Sequence, residues 1–171
     1  MGQTEEIMSK KLITISSNAS LHEAYQMMRN NWVRHLPVTD TAGQMIGLIS
    51  DRDVYRGVKA VSLALPSDTR RTMESWYFEP EHLVKDFMQA PLQMFDRATP
   101  LKKIVDRMID EKASAFVISD HDEPIGIVTT DDCLRLLHHL LNDEEDQWTW
   151  DSWFLSPGFQ KAVYSIGQTG L

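Results

Sequence analysis

The sequence has one cysteine, a shortage of positive charge and no long apolar run, and each shortage excludes a class of protein. Cys133 is the only cysteine among 171 residues, which excludes an internal disulfide and a zinc site of the CxxC type. The 17 Lys and Arg stand against 25 Asp and Glu, a net charge of −8, and this argues against nucleic acid as a partner. No stretch approaches the roughly 18 apolar residues of a membrane span. We therefore expect a cytoplasmic protein that binds neither nucleic acid nor membrane.

An eight-residue pattern occurs twice. Residues 46–53 read IGLISDRD and residues 125–132 read IGIVTTDD, each with Ser or Thr three positions before Asp. Upstream of this pattern the two halves align with an offset of 80, so that Asp40 matches Asp120. The offset falls to 79 after a one-residue gap in a turn, where an insertion costs little. The chain therefore contains an internal repeat.

Both copies predict the same order of elements, β-α-β-β-α. KLITIS and PLQMFD are typical of short strands, and SLHEAYQMMRNN and PLKKIVDRMIDEK have the apolar spacing of amphipathic helices. We expect Ser20 to cap the first of these helices with Glu23, and Pro100 to be the N1 residue of the second. HLPVTD with MIGLIS, and AFVISD with PIGIVT, predict hairpins, and a further helix starts at Ser50 or Thr129.

We predict an α/β (α+β) protein in four parts. Each repeat alone, at about 60 residues, makes a marginal core, so we expect the two to pack together through their sheets. Residues 60–83 are predicted to begin as helix, turn at Pro66–Asp68, and then pack Trp76, Tyr77 and Phe78 on the module. The predicted parts are repeat 1 (residues 5–65), a connecting segment (66–83), repeat 2 (84–141) and a C-terminal extension (142–171).

The repeated Ser/Thr-x-x-Asp has two interpretations. At a junction from strand to helix it is close to a capping box, which needs no ligand. Alternatively, a carboxylate in the first helical turn accepts two hydrogen bonds from the cis-diol of a ribose, beside amides suited to an anion. Each charge-assisted hydrogen bond contributes about 1.5–3 kcal/mol. The two interpretations are compatible.

The tandem repeat, the segment 13–40 and the GLISDRD and GIVTTDD endings resemble a pair of CBS domains, the Bateman module. The resemblance covers about residues 5–65 and 80–141. It implies a pseudo-two-fold module whose clefts bind adenosine nucleotides, with occupancy regulating an attached or partner protein, and it implies pairing into dimers. On the first copy it implies binding roles for Asp53, Ser50, Ile13, Val33, Arg34 and His35; on the second, for Asp132, Thr129, Gln93, Ala113, Ser114 and Ala115.

The two copies differ where the resemblance implies a phosphate contact. Repeat 1 has Arg34 and His35, whereas repeat 2 has small neutral residues. A guanidinium binds phosphate with two parallel hydrogen bonds, so Arg34 is the strongest anion candidate. His35 would add charge only when protonated, which predicts a pH dependence below about 6.5. We therefore expect the occupied site to involve repeat 1, with AMP or ATP as the favoured ligand.

The sequence offers no organised catalytic set of base, nucleophile and oxyanion donors, so we predict that the chain is not an enzyme and has no catalytic metal. The acidic residues Asp51, Asp53, Asp131 and Asp132 leave open a small metal-dependent phosphoryl-transfer enzyme, which we rank last. Mg²⁺ is expected only together with a nucleotide.

The C-terminal extension carries Trp148, Trp150, Trp153 and Phe154 within seven residues. This much apolar surface needs a covering surface. The cover is the chain's own module, a dimer mate, or a separate regulated protein that residues 142–171 dock. This extension supports the main alternative function, a ligand-independent interaction and dimerisation module.

Overall fold

A computed structural model describes the backbone of residues 3–65 and 68–141 and the side chains of residues 4–59 and 77–141. The predicted turn residue Pro66 and the whole extension 142–171 lie outside the described residues. The chain divides into two compact units, residues 1–133 and 134–171. Of the second unit the structure describes residues 134–141, which are the end of the last helix. The elements are α1 (Gln3–Ile7), β1 (Ile15–Ser16), α2 (Leu21–Asn31), β2 (His35–Thr39), β3 (Met45–Ser50), α3 (Asp51–Arg56), β4 (Val58–Leu65), β5 (Asp68–Phe78), a 3-10 turn (Val84–Asp86), β6 (Met94–Asp96), α4 (Leu101–Glu111), β7 (Ala115–Asp120), β8 (Glu123–Thr129) and α5 (Thr130–Leu141).

The predicted β-α-β-β-α repeat is confirmed in both copies. In repeat 1, β1 runs parallel to β2 and β2 antiparallel to β3; in repeat 2, β6, β7 and β8 follow the same order and directions. The two glycines of the repeated pattern lie at equivalent register positions, with Val38 opposite Gly47 and Ile118 opposite Gly126. The register of each hairpin shifts directly after these pairs, between Val38 and Thr39 in repeat 1 and between Ile118 and Ser119 in repeat 2. The register shifts of the two sheets therefore also lie at equivalent positions.

Apolar residues at helical spacing fix the inner faces of α2 and α4. Leu21, Ala24 and Met28 are buried on α2, and Leu101, Ile104 and Met108 are buried on α4. Ser20 and Glu23 form the predicted capping box at the start of α2. The prediction for α4 was wrong by one residue, because Pro100 is the N-cap rather than N1. The core of repeat 1 comprises Ile15, Leu21, Ala24, Met28, Leu36, Val38, Ile49, Val54 and Val84.

The residues that open each repeat pair with the third strand of the other repeat. Ser9 exchanges two backbone hydrogen bonds of 2.9 and 3.0 Å with Ile127 on β8. Gln89 exchanges two of 2.8 and 3.0 Å with Leu48 on β3. These two exchanges join the repeats through main-chain hydrogen bonds, which do not depend on side-chain identity.

Close approach of the chain at these two exchanges requires glycine. A Cβ on Gly47 would lie 2.7 Å from the carbonyl oxygen of Gln89, and a Cβ on Gly126 would lie 2.9 Å from that of Ser9. Both distances are shorter than van der Waals contact permits, and backbone oxygens cannot move aside as side chains can. The glycine of the repeated pattern therefore serves the joint between the repeats.

The predicted helical beginning of residues 60–83 was wrong. Residues 58–65 form β4, which pairs antiparallel with β5 in a two-stranded sheet. Gly57 ends α3, and the pairing then extends from Val58 opposite Phe78 to Leu65 opposite Asp68. The predicted packing of the aromatic cluster is confirmed for Phe78, which lies against the repeat 1 core and 5.5 Å from the ring of Tyr25. Tyr77 is exposed instead, and the Trp76 side chain lies outside the described residues.

Among the helices that the structure describes, not one has both the length and the apolar character needed to cross a membrane. The division of the chain at residues 65, 83 and 141 stays a prediction.

Candidate ligand-binding site

The repeated Ser/Thr-x-x-Asp forms reciprocal caps at the starts of α3 and α5. Asp53 Oδ2 accepts hydrogen bonds from the amide and hydroxyl of Ser50 at 2.9 and 2.6 Å, and Ser50 Oγ accepts from the Asp53 amide at 3.3 Å. Asp132 Oδ2 accepts from the amide and hydroxyl of Thr129 at 2.6 and 2.7 Å, and Thr129 Oγ1 accepts from the Asp132 amide at 3.3 Å. The capping interpretation is confirmed, and it uses one oxygen of each carboxylate.

The second oxygen of Asp53 contacts a residue that sequence reasoning missed. Arg56 Nη2 donates to Asp53 Oδ1 at 2.8 Å and to the carbonyl oxygen of Phe87 at 3.0 Å. Asp53 is only 5% exposed, whereas the Arg56 side chain is 64% exposed, so an exposed guanidinium covers a buried carboxylate. A signal was present, since an Arg follows the motif Asp by three positions in both copies, as Arg56 and Arg135.

Each helix start is tied to the residue that precedes the second strand of its repeat. The Asp51 amide donates to the carbonyl oxygen of Arg34 at 2.9 Å, and the Thr130 amide donates to that of Ser114 at the same distance. One of the otherwise unpaired amides of each helix start is thereby satisfied. The bond also places the side chains of residues 34 and 114 beside the two capping motifs.

Two contacts between side chains of opposite repeats meet at these helix starts. His35 Nε2 lies 2.7 Å from Ser114 Oγ, and Arg34 Nη2 lies 2.5 Å from Asp131 Oδ1. Arg34 and Asp131 are 97 residues apart in sequence. We call the residues Arg34, His35, Asp53, Ser114 and Asp131 the central cluster. The structure thus brings four of the predicted site residues together and adds Asp131, which sequence analysis weighed only as a metal ligand.

Burial of His35 affects the charge that this residue contributes to the central cluster. Loss of hydration on burial lowers the pKa of His35 below its ordinary value, and the positive charge of Arg34 lowers it further; Asp51, Asp131 and Asp53 act in the opposite direction but do not prevail. The pKa of His35 therefore lies below the value near 6.5 that sequence analysis assumed. Arg34 is consequently the cation of the cluster at neutral pH.

The remaining predicted residues are spread around the cluster. Ala115 is buried opposite Thr129 on β7 and β8, and Ala113 is half-buried. Val33 and Ile13 pack against the core of repeat 1. Ile13 and Gln93 were expected within the first strands, but β1 begins at Ile15 and β6 at Met94, so both lie just before their strands. Gln93 is exposed and accepts a long hydrogen bond of 3.5 Å from Arg107, so nothing ties it to the cluster.

Within residues 4–59 and 77–141, whose side chains the structure describes, the acidic side chains do not converge as metal ligands. No group of three or more His, Cys, Asp or Glu there is arranged to hold a metal ion. Asp53 and Asp132 belong to separate caps, and Asp131 pairs with Arg34.

Comparison with protein families identifies both repeats. The CBS domain family matches residues 5–60 and 84–139, more than half of the chain. A CBS domain-containing protein of Dictyostelium discoideum is 28% identical over 138 residues, which cover 80% of this chain and 92% of that protein. The L-aspartate semialdehyde sulfurtransferase of Methanocaldococcus jannaschii is 26% identical over 133 residues, 77% of this chain but only 22% of that enzyme's length.

Solved structures share the fold. A CBS domain pair in complex with 5′-methylthioadenosine and S-adenosyl-L-methionine superposes with a TM-score of 0.60 at 22% identity, over 78% of this chain and 98% of that one. An uncharacterised conserved protein from Pyrococcus horikoshii gives a TM-score of 0.63 at 21% identity, over 80% and 92% of the two chains. At these identities the likeness establishes the fold alone.

Proposed function

The chain belongs to the CBS domain family, and on that premise we propose that it is a regulatory module that binds an adenine nucleotide, AMP or ATP, at the central cluster. Ligand occupancy changes the state or the partners of the module. Such a switch requires that the ligand bind one state more tightly than the other. The module itself carries no catalysis in this proposal, and Mg²⁺ enters only with the phosphates.

The observation that carries the proposal is the environment of Asp53. Its carboxylate is fixed by the cap at Oδ2, while Oδ1 accepts from Arg56, a side chain that is mostly in solvent. A carboxylate oxygen can accept more than one hydrogen bond, so Oδ1 can accept from a ribose hydroxyl beside Arg56 or in its place. A ribose hydroxyl can therefore compete for Oδ1 without disturbing the cap.

The position of Arg34 supports a phosphate beside that ribose. Its carbonyl oxygen is bonded to the first amide of α3, so its side chain starts beside the cap that holds Asp53. The solved CBS domain pair that contains 5′-methylthioadenosine and S-adenosyl-L-methionine extends the plausible ligands to adenosine compounds without phosphate. We favour one occupied site, in repeat 1, because repeat 2 has Ser114 where repeat 1 has Arg34.

Thermal unfolding of protein stripped of copurified ligand tests the proposal. AMP, ATP, GTP, 5′-methylthioadenosine and S-adenosylmethionine are added with and without Mg²⁺. A ligand at about 100 times its Kd adds about 2.7 kcal/mol to the free energy of unfolding, which raises Tm by about 5–11 °C for a chain of this length.

Asp53→Asn and Asp132→Asn form a matched pair for this test, because each removes one charge from equivalent caps. We expect an adenosine-selective rise that is lost in Asp53→Asn and kept in Asp132→Asn. No shift with any of these compounds would reduce Asp53 to a helix cap and reject the proposal.

Exposed leucines on α5 favour the second candidate, an assembly module that pairs with a second copy of itself. Leu134, Leu137 and Leu141 are exposed at i, i+3 and i+7, and so share one face of the helix. Light scattering after size exclusion checks this: we expect a dimer that Leu137→Glu converts to monomer, with Ile109→Glu as the control at another exposed apolar residue. A monomeric native chain would contradict it. Docking of a regulated protein by residues 142–171 stays a prediction.

A further inference from the structure

We propose that Asp131 is a specificity residue that sets which adenosine ligands the central cluster accepts, by occupying the guanidinium of Arg34 that a phosphate would need. The inference deepens the proposed function and rests on it. It assigns to Asp131 a lowering of the affinity for phosphate-bearing adenosine compounds relative to those whose 5′-substituent is uncharged or cationic, so that the cluster which binds AMP or ATP also accepts the latter.

The contact between Arg34 and Asp131 has the geometry of a competitor for anions. Arg34 Nη2 lies 2.5 Å from Asp131 Oδ1, so this carboxylate engages one of the guanidinium nitrogens that could otherwise bind a phosphate oxygen. Their side chains are 52% and 42% exposed, so the pair is open to solvent and a ligand can reach it. A phosphate that binds this guanidinium shares it with Asp131 or displaces Asp131 from it, and in both cases it lies beside a carboxylate.

Carboxylates outnumber cations among the charged groups that act on His35. The charged groups that act on the buried His35 are the carboxylates Asp51, Asp53 and Asp131 and the single guanidinium of Arg34. Arg56 is engaged with Asp53. Like charges in contact repel each other even in water, and a phosphate monoester carries nearly two negative charges at neutral pH. An uncharged thioether or a sulfonium at the same place meets no such repulsion.

The pair exists on one side of the pseudo-symmetric module only. Arg34 of repeat 1 matches Ser114 of repeat 2, and Asp131 of repeat 2 matches Arg52 of repeat 1. The Ser114 hydroxyl contacts His35 instead of a charged residue. A carboxylate that is needed only to start a helix would serve equally on both sides, whereas a carboxylate that pairs with Arg34 is needed on one. The asymmetry therefore points to a role through Arg34.

The test compares two probes that share adenosine and differ in charge at the 5′ position, 5′-AMP and 5′-methylthioadenosine. Calorimetry gives Kd for both with the full chain, with Asp131→Asn and with the double variant Arg34→Gln/Asp131→Asn. We expect Asp131→Asn to tighten AMP relative to methylthioadenosine by about 3- to 10-fold. The gain should disappear in the double variant, because it depends on freeing Arg34.

Asp51→Asn is the matched control, since Asp51 is also a first-turn carboxylate near His35 but its Oδ1 accepts from the Arg52 amide. It should change the ratio of the two Kd values less than Asp131→Asn does. If methylthioadenosine binds and Asp131→Asn leaves the ratio unchanged, or the gain persists without Arg34, this inference alone is overturned. If neither compound binds any of these proteins, the proposed function fails with it.

Discussion

The two repeats are alike in backbone and unlike in charge. Both caps have the same reciprocal hydrogen bonds, both helix starts are tied to the residue before the second strand, and both third strands pair with the opening of the other repeat. Yet before the second strand repeat 1 has Arg34 and His35, which contact the opposite repeat, where repeat 2 has Ser114 and Ala115. The fold thus depends on the backbone hydrogen bonds that both copies share. Ligand selectivity can arise from the charged side chains in which the copies differ.

The largest expected effect comes from disrupting the joint between the repeats, which both copies form in the same way. In Gly47→Ala the added methyl group lies 2.7 Å from a backbone oxygen of the opposite repeat. Overpacking of this kind costs about 1–3 kcal/mol, and the free energy of unfolding should fall by that amount in urea titrations.

Gly126→Ala, at 2.9 Å from the equivalent oxygen, should cost a similar amount. Gly43→Asn is the control, because a Cβ there meets nothing within 4 Å and Asn tolerates its positive φ of 82°. If Gly47→Ala and Gly43→Asn are equally stable, the joint between the repeats does not need its glycine.

A smaller effect is expected on the pH dependence of stability, through His35, in whose place repeat 2 has Ala115. Burial lowers the pKa of His35, so the unfolded chain takes up a proton there more readily than the folded protein does. The stability contributed by neutral His35 is therefore present above about pH 6.5 and lost as pH falls below it. One such group changes stability by at most about 1.4 kcal/mol per pH unit.

His35→Gln should flatten the acid slope of stability between pH 7 and pH 5, measured by urea unfolding at each pH. His121→Gln is the control, at an exposed histidine that pairs with Asp120 outside the cluster, and the slope should flatten less there than in His35→Gln. A slope that is the same in native protein and His35→Gln would mean that His35 is not the titrating group.

The smallest expected effect is the loss of stability when Arg56, which contacts the buried Asp53, is truncated. Arg56→Ala removes an ion pair and a hydrogen bond to Phe87, both on a largely exposed side chain. We expect a loss of about 0.5–1 kcal/mol in the free energy of unfolding. Arg52→Ala, one turn earlier on the exposed side of α3, should cost less. Equal losses would show that the contacts of Arg56 add nothing to stability.

Local patterns carried the sequence predictions that succeeded. The cap at Ser50 and Asp53 spans four residues, and the repeat doubled every signal, so the order of elements and both caps were recoverable from the sequence. Residues 60–65 were not, because AVSLAL contains good helix formers and becomes β4 only by pairing with β5. Nor was the contact of Arg34 with Asp131, since no local rule joins residues 97 positions apart in different repeats.

Calorimetry of adenosine-ligand binding by the native chain, Asp53→Asn and Asp132→Asn decides whether the site lies in repeat 1, because it gives both the stoichiometry and the Kd. The account predicts one site per chain, with affinity lowered at least about 10-fold in Asp53→Asn, the loss of a single charge-assisted hydrogen bond. Asp132→Asn should bind nearly as the native chain does. Binding that survives in Asp53→Asn and is lost in Asp132→Asn would contradict the assignment of the site to repeat 1.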